Sequence, residues 1–364
     1  MLTPGTRVNR LLRFGGLGVA LAALLITGVV AVGALVAGGY DPGVALGALV
    51  RGAVGSPEQF FSVTLVRSVP LILTGLAVAL AFRAGVWNIG AEGQLYAGAM
   101  AGVWIGLAAG DLPGWIVVPL VLVVASTAGA VWALVPTLMR LRLGVGEVIT
   151  TILMNFVAIH LVGYMVHGPL QESRGVFPQT DALAAAARLP ALIPGTRLHV
   201  GFAVAVLLGV ALWLVLRGTV FGFRLRAVGQ SPAAARITGR IDGKRVILVT
   251  FLASGALAGL AGAMEVSGRT FALYEGLSPG WGYTAIAVAL LAGLHPMGVV
   301  AVGIMFGALE GGAGAMQREA GIPAAWVSGI EALVILAVLA AGQGRKWLVQ
   351  TRLERGRPAE ASVG

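Results

Sequence analysis

The sequence predicts an all-α integral membrane protein of about ten transmembrane helices, arranged as two halves of inverted topology. Three observations predict it. Of 364 residues, 58% are hydrophobic and 11% charged, with a mean hydropathy of +0.92, far from the composition of a water-soluble domain. Several separate runs reach the roughly 20 apolar residues that a helix needs to cross the hydrocarbon core, and none alternates with the period of two expected of a barrel strand. Finally, glycine and polar residues interrupt the hydrophobic pattern in two stretches five helices apart, Arg83 to Gly93 and Arg269 to Tyr283. An odd shift inverts direction, so the two interruptions would face one another across the bilayer midplane.

In chain order, Arg7, Arg10 and Arg13 precede an apolar run from Phe14 to Gly38. That run is longer than the h-region of a signal peptide, so it reads as an uncleaved first helix with a cytoplasmic N-terminus. The loop Gly39 to Gln59 is nearly balanced in charge, as expected outside. Phe61 to Phe82 returns to Arg83, Val86 to Ala109 goes out, and Trp115 to Val135 comes back to Arg140 and Arg142. Val148 to Val166 then leads out to a proline-punctuated external loop over 167–198. Val200 to Leu216 re-enters, and the loop 217–245 is the most basic segment, with Arg217, Arg224, Arg226, Arg236, Arg240, Lys244 and Arg245 against Asp242 alone. Val246 to Glu265, Tyr283 to Leu294, Met297 to Gly314 and Ala324 to Ala341 complete the helices, leaving a transmembrane domain of 1–345 and a basic tail of 346–364. The lysines and arginines fall in the loops that this map places inside, with both termini in the cytoplasm. The formal charge of +10 is explained in the same way, and nucleic acid is not expected as a partner. Gly98, Gly102, Gly106 and Gly110 recur every fourth residue, as do Gly303, Gly307 and Gly311, a spacing that lets helix backbones approach closely.

Within the first interruption, Asn88, Glu92 and Gln94 stand beside three glycines. A carboxylate and carboxamides at membrane depth are costly unless they face protein or water, which marks a polar point on a pathway. Asn155, a lone amide in an apolar span, fits either a bond between helices or the same pathway. Glu265, Glu310 and Glu331 lie in or near spans, either as coupling carboxylates of an ion-driven carrier or as hydrated groups at helix ends. With no cysteine there is no disulfide or thiolate chemistry, and the four histidines show no metal-ligand spacing. No arrangement of nucleophile, base and acid points to catalysis, and no cofactor is expected.

The segment from Ser231 to Gly239 carries the signals of a short helix. Ser231 suits the N-cap, Pro232 the first turn, Ala235 and its neighbours the interior, and Gly239 the left-handed C′ position, with Arg236 on the helix itself. Such a helix in a basic loop suits docking to another protein, or to anionic lipid. The following GRIDGKR lacks the spacing and the hydroxyl of a phosphate loop, so any ATP must be used by another subunit.

AFRAGVWNIGAEGQ (81–94), GEVITTILMN (146–155), LRAVGQSPAAARITGR (225–240), SGALAGLAGAMEV (254–266) and AIAVALLAGLHPMGV (285–299) together resemble the permease subunits of bacterial ATP-binding-cassette importers, in the branched-chain amino acid and simple sugar permease superfamily. The likeness is greatest to the nucleoside-type permeases that work with lipoprotein receptors of the basic-membrane-protein family. The family often has Asn where Gly146 and Leu294 stand. The resemblance implies a subunit that forms the path for a small polar solute across the cytoplasmic (inner) membrane. It implies partners too: ATPase subunits, a second identical or homologous permease and an extracytoplasmic solute-binding lipoprotein, within membrane lipid. It makes Ser231 to Gly239 the coupling helix and places Asn88, Glu92, Gln94 and Asn155 beside the path. Nucleoside is the implied solute, with simple sugars and then branched-chain amino acids as alternatives, and Trp87, Tyr274, Trp281 and Tyr283 offer flat faces for a base to stack on. These aromatics also suit the membrane interface. A reading of a different class is an ion-coupled secondary carrier.

Overall fold

The computed structural model describes residues 28–237 and 241–323, together with the single positions 326, 329, 332, 333 and 336. Most of the expected first and last helices, the tail 346–364, Gly239 and the side chain of Arg236 lie outside the described residues. The described helices are α1 (Gly28–Ala37), α2 (Pro42–Val54), α3 (Pro57–Arg83), α4 (Ala91–Ala108), α5 (Gly114–Leu143), α6 (Glu147–His167), α7 (Gly201–Gly218), α8 (Val220–Gln230), α9 (Pro232–Ile237), α10 (Gly243–Thr270), α11 (Trp281–Leu291) and α12 (Pro296–Ala320). Of these, six are long and apolar enough to cross a membrane: α3, α5, α6, α7, α10 and α12.

The differences from expectation have local causes. The expected loop 39–59 contains α2, because the Asp41 carboxylate accepts from the N–H groups of Gly43 (2.7 Å) and Val44 (3.2 Å) while Pro42 occupies the first helical position. The expected helix from Val86 begins only at Ala91, since residues 86–89 are not helical. α11 has 11 residues, about 16 Å at 1.5 Å per residue, too short to span alone. The basic loop 217–245 folds into α8 and α9. α8 starts on Thr219, whose hydroxyl accepts from Gly222 N–H at 3.2 Å. α10 starts on Asp242, whose carboxylate accepts from Lys244 and Arg245 N–H.

The chain divides into two compact units, residues 51–311 and residues 1–50 with 312–364. In the larger, α10 packs against α3, α4 and α5, while α11 packs against α3 and α4. The most hydropathic stretch of α3 is 89% buried and that of α7 only 22%, so α3 is interior and α7 peripheral. Here glycine sets the packing. A Cβ on Gly98 would lie 2.1 Å from Gly259 O, and one on Gly129 would lie 2.2 Å from Gly255 O, so α4, α5 and α10 touch backbone to backbone. The fourfold glycine register is only partly used: Gly102 has ordinary neighbours at 3.4 Å or more and Gly110 ends the helix in open space at φ 55°. Gly303 and Gly307 pack on α3, against Ile72 and Thr64. In the smaller unit, Leu35, Ala45 and Ala48 form a core with Met316 and Ile322.

Both α3 and α10 contain π-helical turns, Phe60–Leu65 near the start of the first and Val266–Thr270 at the end of the second. The segment 168–200 is irregular apart from one 3₁₀ turn, and its own side chains pin it. Gln179 Nε2 donates to Glu172 at 2.7 Å, and this bond and the Phe177 N–H hold the Glu172 carboxyl below its ordinary range.

Candidate functional site

At Arg83, α3 ends against the basic end of the fold. Gly229 of α8 approaches so closely that a Cβ there would lie 2.0 Å from Arg83 O, and Gly85 turns the chain at φ 73°. The extended residues 86–89 then run back between the helices, placing Asn88 beside Ser254 in the middle part of α10. Asn88 Nδ2 donates to Gln94 Oε1 (2.9 Å) and Ser254 Oγ (2.8 Å). Its Oδ1 accepts from Gln94 Nε2 (3.1 Å) and Gly90 N–H (3.0 Å). Ser254 Oγ in turn donates to Ala77 O of α3 at 2.7 Å. Asn88, Gln94 and Ser254 are at most 1% exposed. A buried amide left unbonded would cost about 1–3 kcal/mol, and here the partners are all supplied by the protein, so the network fixes the re-entrant segment onto α3 and α10.

At Glu92 two helices meet N-terminus to N-terminus. The carboxylate, 2% exposed in the first turn of α4, accepts from Gly282 N–H in the first turn of α11 at 2.6 Å. A Cβ on Gly282 would lie 2.2 Å from Glu92 N. One carboxylate therefore serves the positive ends of two helix dipoles. The two interrupted stretches read from the sequence thus touch at this junction. Asn155 of α6 supports it from outside: its Oδ1 accepts from Gly93 N–H (2.8 Å), and its Nδ2 donates to Ile89 O (2.9 Å) and Tyr283 Oη (3.2 Å).

The aromatic candidates separate. Trp87 (51% exposed) and Tyr283 (39% exposed) flank the junction with free ring surface, and Trp87 stands 4.5 Å from the Phe82 ring. Trp281 is buried, its indole N–H donating to Glu310 Oε1 at 2.9 Å. Tyr274 is half-buried and bridges to Gln179 of the irregular segment.

Sequence reading missed Ser254, Gly282, Tyr96 and Arg67. Tyr96 Oη accepts from Ser278 N–H at 3.1 Å, holding the chain that leads into α11. Arg67 lies 3.6 Å from Glu310. Glu265 is not hydrated at a helix end: it is 2% exposed and ion-paired with Arg269 one turn on, a spacing that the sequence displays. Glu331 lies outside the described residues.

At the basic end, α9 packs on α8 and α10, and Ala235 is buried against an apolar cluster that includes Leu225, Val228 and Val246. Pro232 and Ala235 line a cavity of about 470 Å³ with Arg140 and Lys244 at its edge. Arg140 also pairs with Glu147, whose carboxylate accepts from Trp87 N–H at 3.2 Å.

Comparison with known proteins places this chain among transporter permeases. Residues 60–339 match the family model described as branched-chain amino acid transport system / permease component. The chain is 39% identical to a glucose ABC transporter permease protein of Haloferax volcanii over 357 residues, covering 94% of this chain and 92% of the relative. It is 39% identical to a guanosine ABC transporter permease protein of Bacillus subtilis over 315 residues (85% and 89%) and 31% identical to a nucleoside ABC transporter permease protein of Lactococcus lactis over 338 residues (90% of each).

Proposed function

We infer function from one premise: the chain belongs to the branched-chain amino acid transport system / permease component family. It is a multi-pass membrane permease of an ABC importer. We propose that its solute is a nucleoside, delivered by an external binding protein, and that two permease subunits and two separate ATPase subunits complete the machine. The guanosine and nucleoside relatives support this solute. A hexose is the second reading, favoured by the glucose permease relative at equal identity.

The observation that carries the proposal is the junction at Glu92, where two broken helices meet inside the bundle, the carboxylate in the first turn of one accepting from Gly282 N–H in the first turn of the other. In this reading the path runs along the face bearing Trp87 and Tyr283, the candidates with ring surface left to stack on a base, whereas Asn88, Glu92, Gln94, Asn155 and Trp281 hold that face in place from behind. Tyr274 stands nearer the irregular segment and would meet solute at the entrance. The basic end faces the cytoplasm, by the distribution of lysine and arginine.

Coupling follows the contacts. Ser231 to Gly239, carrying Arg236, sits against the ATPase. A push on α9 passes to α8, and Gly229 of α8 presses directly on the backbone at Arg83, where the re-entrant segment begins. The ATPase thereby moves the Asn88 segment and the Glu92 junction together.

The test is reconstitution in proteoliposomes with the ATPase and binding protein, following labelled guanosine and glucose. ATP-dependent guanosine uptake, with glucose not competing, is expected. Uptake by the permease alone under a proton gradient would instead mark a secondary carrier and refute the proposal.

A further inference from the structure

Away from the Glu92 junction, a second cavity of about 540 Å³ lies between the irregular segment 168–200 and the π-helical turns of α3 and α10. Its size suits a small organic molecule. Three guanidinium groups line it: Arg67, Arg197 and Arg269. Two are balanced, Arg67 by Glu310 at 3.6 Å and Arg269 by Glu265. Arg197 is exposed, and no carboxylate among the described residues pairs with it, so the cavity carries one positive charge in excess. His199, 3% exposed, also forms part of the wall, and its Nδ1 has no hydrogen-bond partner among the described residues. The remaining wall has an apolar part, from Val63, Val66, Leu189, Ala191 and Phe271, beside the hydroxyl-bearing Ser62 and Thr196. Phe271 is held in the left-handed region at φ 56°: its carbonyl accepts from Leu183 N–H at 2.7 Å, and Arg188 lies 4.5 Å over its ring. A bulky residue in that conformation is strained, and persists only because its surroundings fix it, so this wall is pre-formed.

The geometry points to a binding site for a small organic anion, with one carboxylate or phosphate group against the arginines and an apolar body against Val63, Leu189 and Phe271. Arg197 supplies the uncompensated charge, and Arg67 and Arg269 offer the donor faces that their own carboxylates leave free. The site is also wired to the broken helix: Arg67 and Trp281 share Glu310, and Arg269 lies 5.9 Å over the Trp281 ring. An occupant that draws on either arginine therefore changes the hold on α11. The inference does not depend on which neutral solute the importer carries.

The experiment is calorimetric titration of the full chain, co-purified with its ATPase in nanodiscs, with benzoate and separately with inorganic phosphate at constant ionic strength. Saturable binding of at least one probe is expected. Arg197→Gln should weaken it about tenfold, the equivalent of ~1.4 kcal/mol for one charge-assisted contact, while Arg197→Lys stays nearer wild type. Binding of benzoate alone identifies a carboxylate ligand with an apolar body, and binding of phosphate alone a phosphate ligand. No saturable binding of either probe, or binding that Arg197→Gln leaves unchanged, overturns the site. Because Arg197 is exposed, its substitution leaves the folded complex in place for the measurement.

Discussion

Replacing Glu92 tests the junction directly. Its carboxylate accepts one short bond, 2.6 Å from Gly282 N, at 2% exposure, and sits at the positive ends of α4 and α11. A hydrogen bond to a charged group contributes about 1.5–3 kcal/mol, and a carboxylate at a partly buried helix terminus up to about 2 kcal/mol. The two describe overlapping physics, so Glu92→Ala should cost about 2–3 kcal/mol rather than their sum. Glu92→Gln keeps the volume and an acceptor oxygen but not the charge, and a neutral bond retains about 0.5–1.5 kcal/mol. Thermal unfolding of the permease–ATPase complex in nanodiscs should therefore rank wild type above Glu92→Gln above Glu92→Ala. At roughly 2–4 °C per kcal/mol for a large domain, alanine should lower Tm by about 4–12 °C. The alanine variant should still assemble with the ATPase, and its solute uptake should fall. Wild-type Tm for the alanine variant, or a glutamine variant no more stable than alanine, would refute the argument that one carboxylate ties the two helices together.

Three further outcomes are expected. Gly129→Val should abolish accumulation of folded protein, because its Cβ meets backbone at 2.2 Å, whereas Gly102→Ala, with neighbours at 3.4 Å or more, should express and unfold like wild type; size-exclusion profiles separate the two. The buried His199 is held neutral, its pKa pushed down to about 4 by desolvation from an ordinary 6.5. The unfolded chain then takes up the proton first, so stability is intact above pH 6.5 and falls by up to about 3 kcal/mol as pH drops to 4; His199→Leu should flatten that slope in urea titrations. Arg236→Glu should detach or uncouple the ATPase, read as loss of co-purified ATPase and of stimulated hydrolysis, with wild-type values for both counting against the coupling role.

Much of the helical plan was legible in the sequence, because membrane spans announce themselves by length and apolarity. Ser231 and Pro232 likewise mark the start of α9 in the sequence. The two interruptions were visible as glycine and polar residues at membrane depth, but not the fact that their helices abut at Glu92 and Gly282, since the pairing joins residues 190 positions apart. A separation of 166 positions likewise hid Ser254 as the partner of Asn88, and a serine in an apolar span looks like any small interface residue. What misled was the expected loop 39–59, where balanced charge outweighed the Asp41-Pro42 helix start. The shortness of α11 was visible in the run Tyr283 to Leu294, itself too short to span the hydrocarbon core alone; the structure ends the helix at Leu291, with Gly293 and Leu294 turning at φ 58° and 59°.

The glycine contacts among α4, α5 and α10 carry a mechanical consequence. Where main chain rests on main chain with no side chain between, there is nothing to rotate or repack, so those three helices cannot slide past each other by any small step and must travel as a single block. Relative movement during a transport cycle is left to seams cushioned by larger side chains, such as that of α7, and to the two π-helical turns, where the helical winding is already loosened.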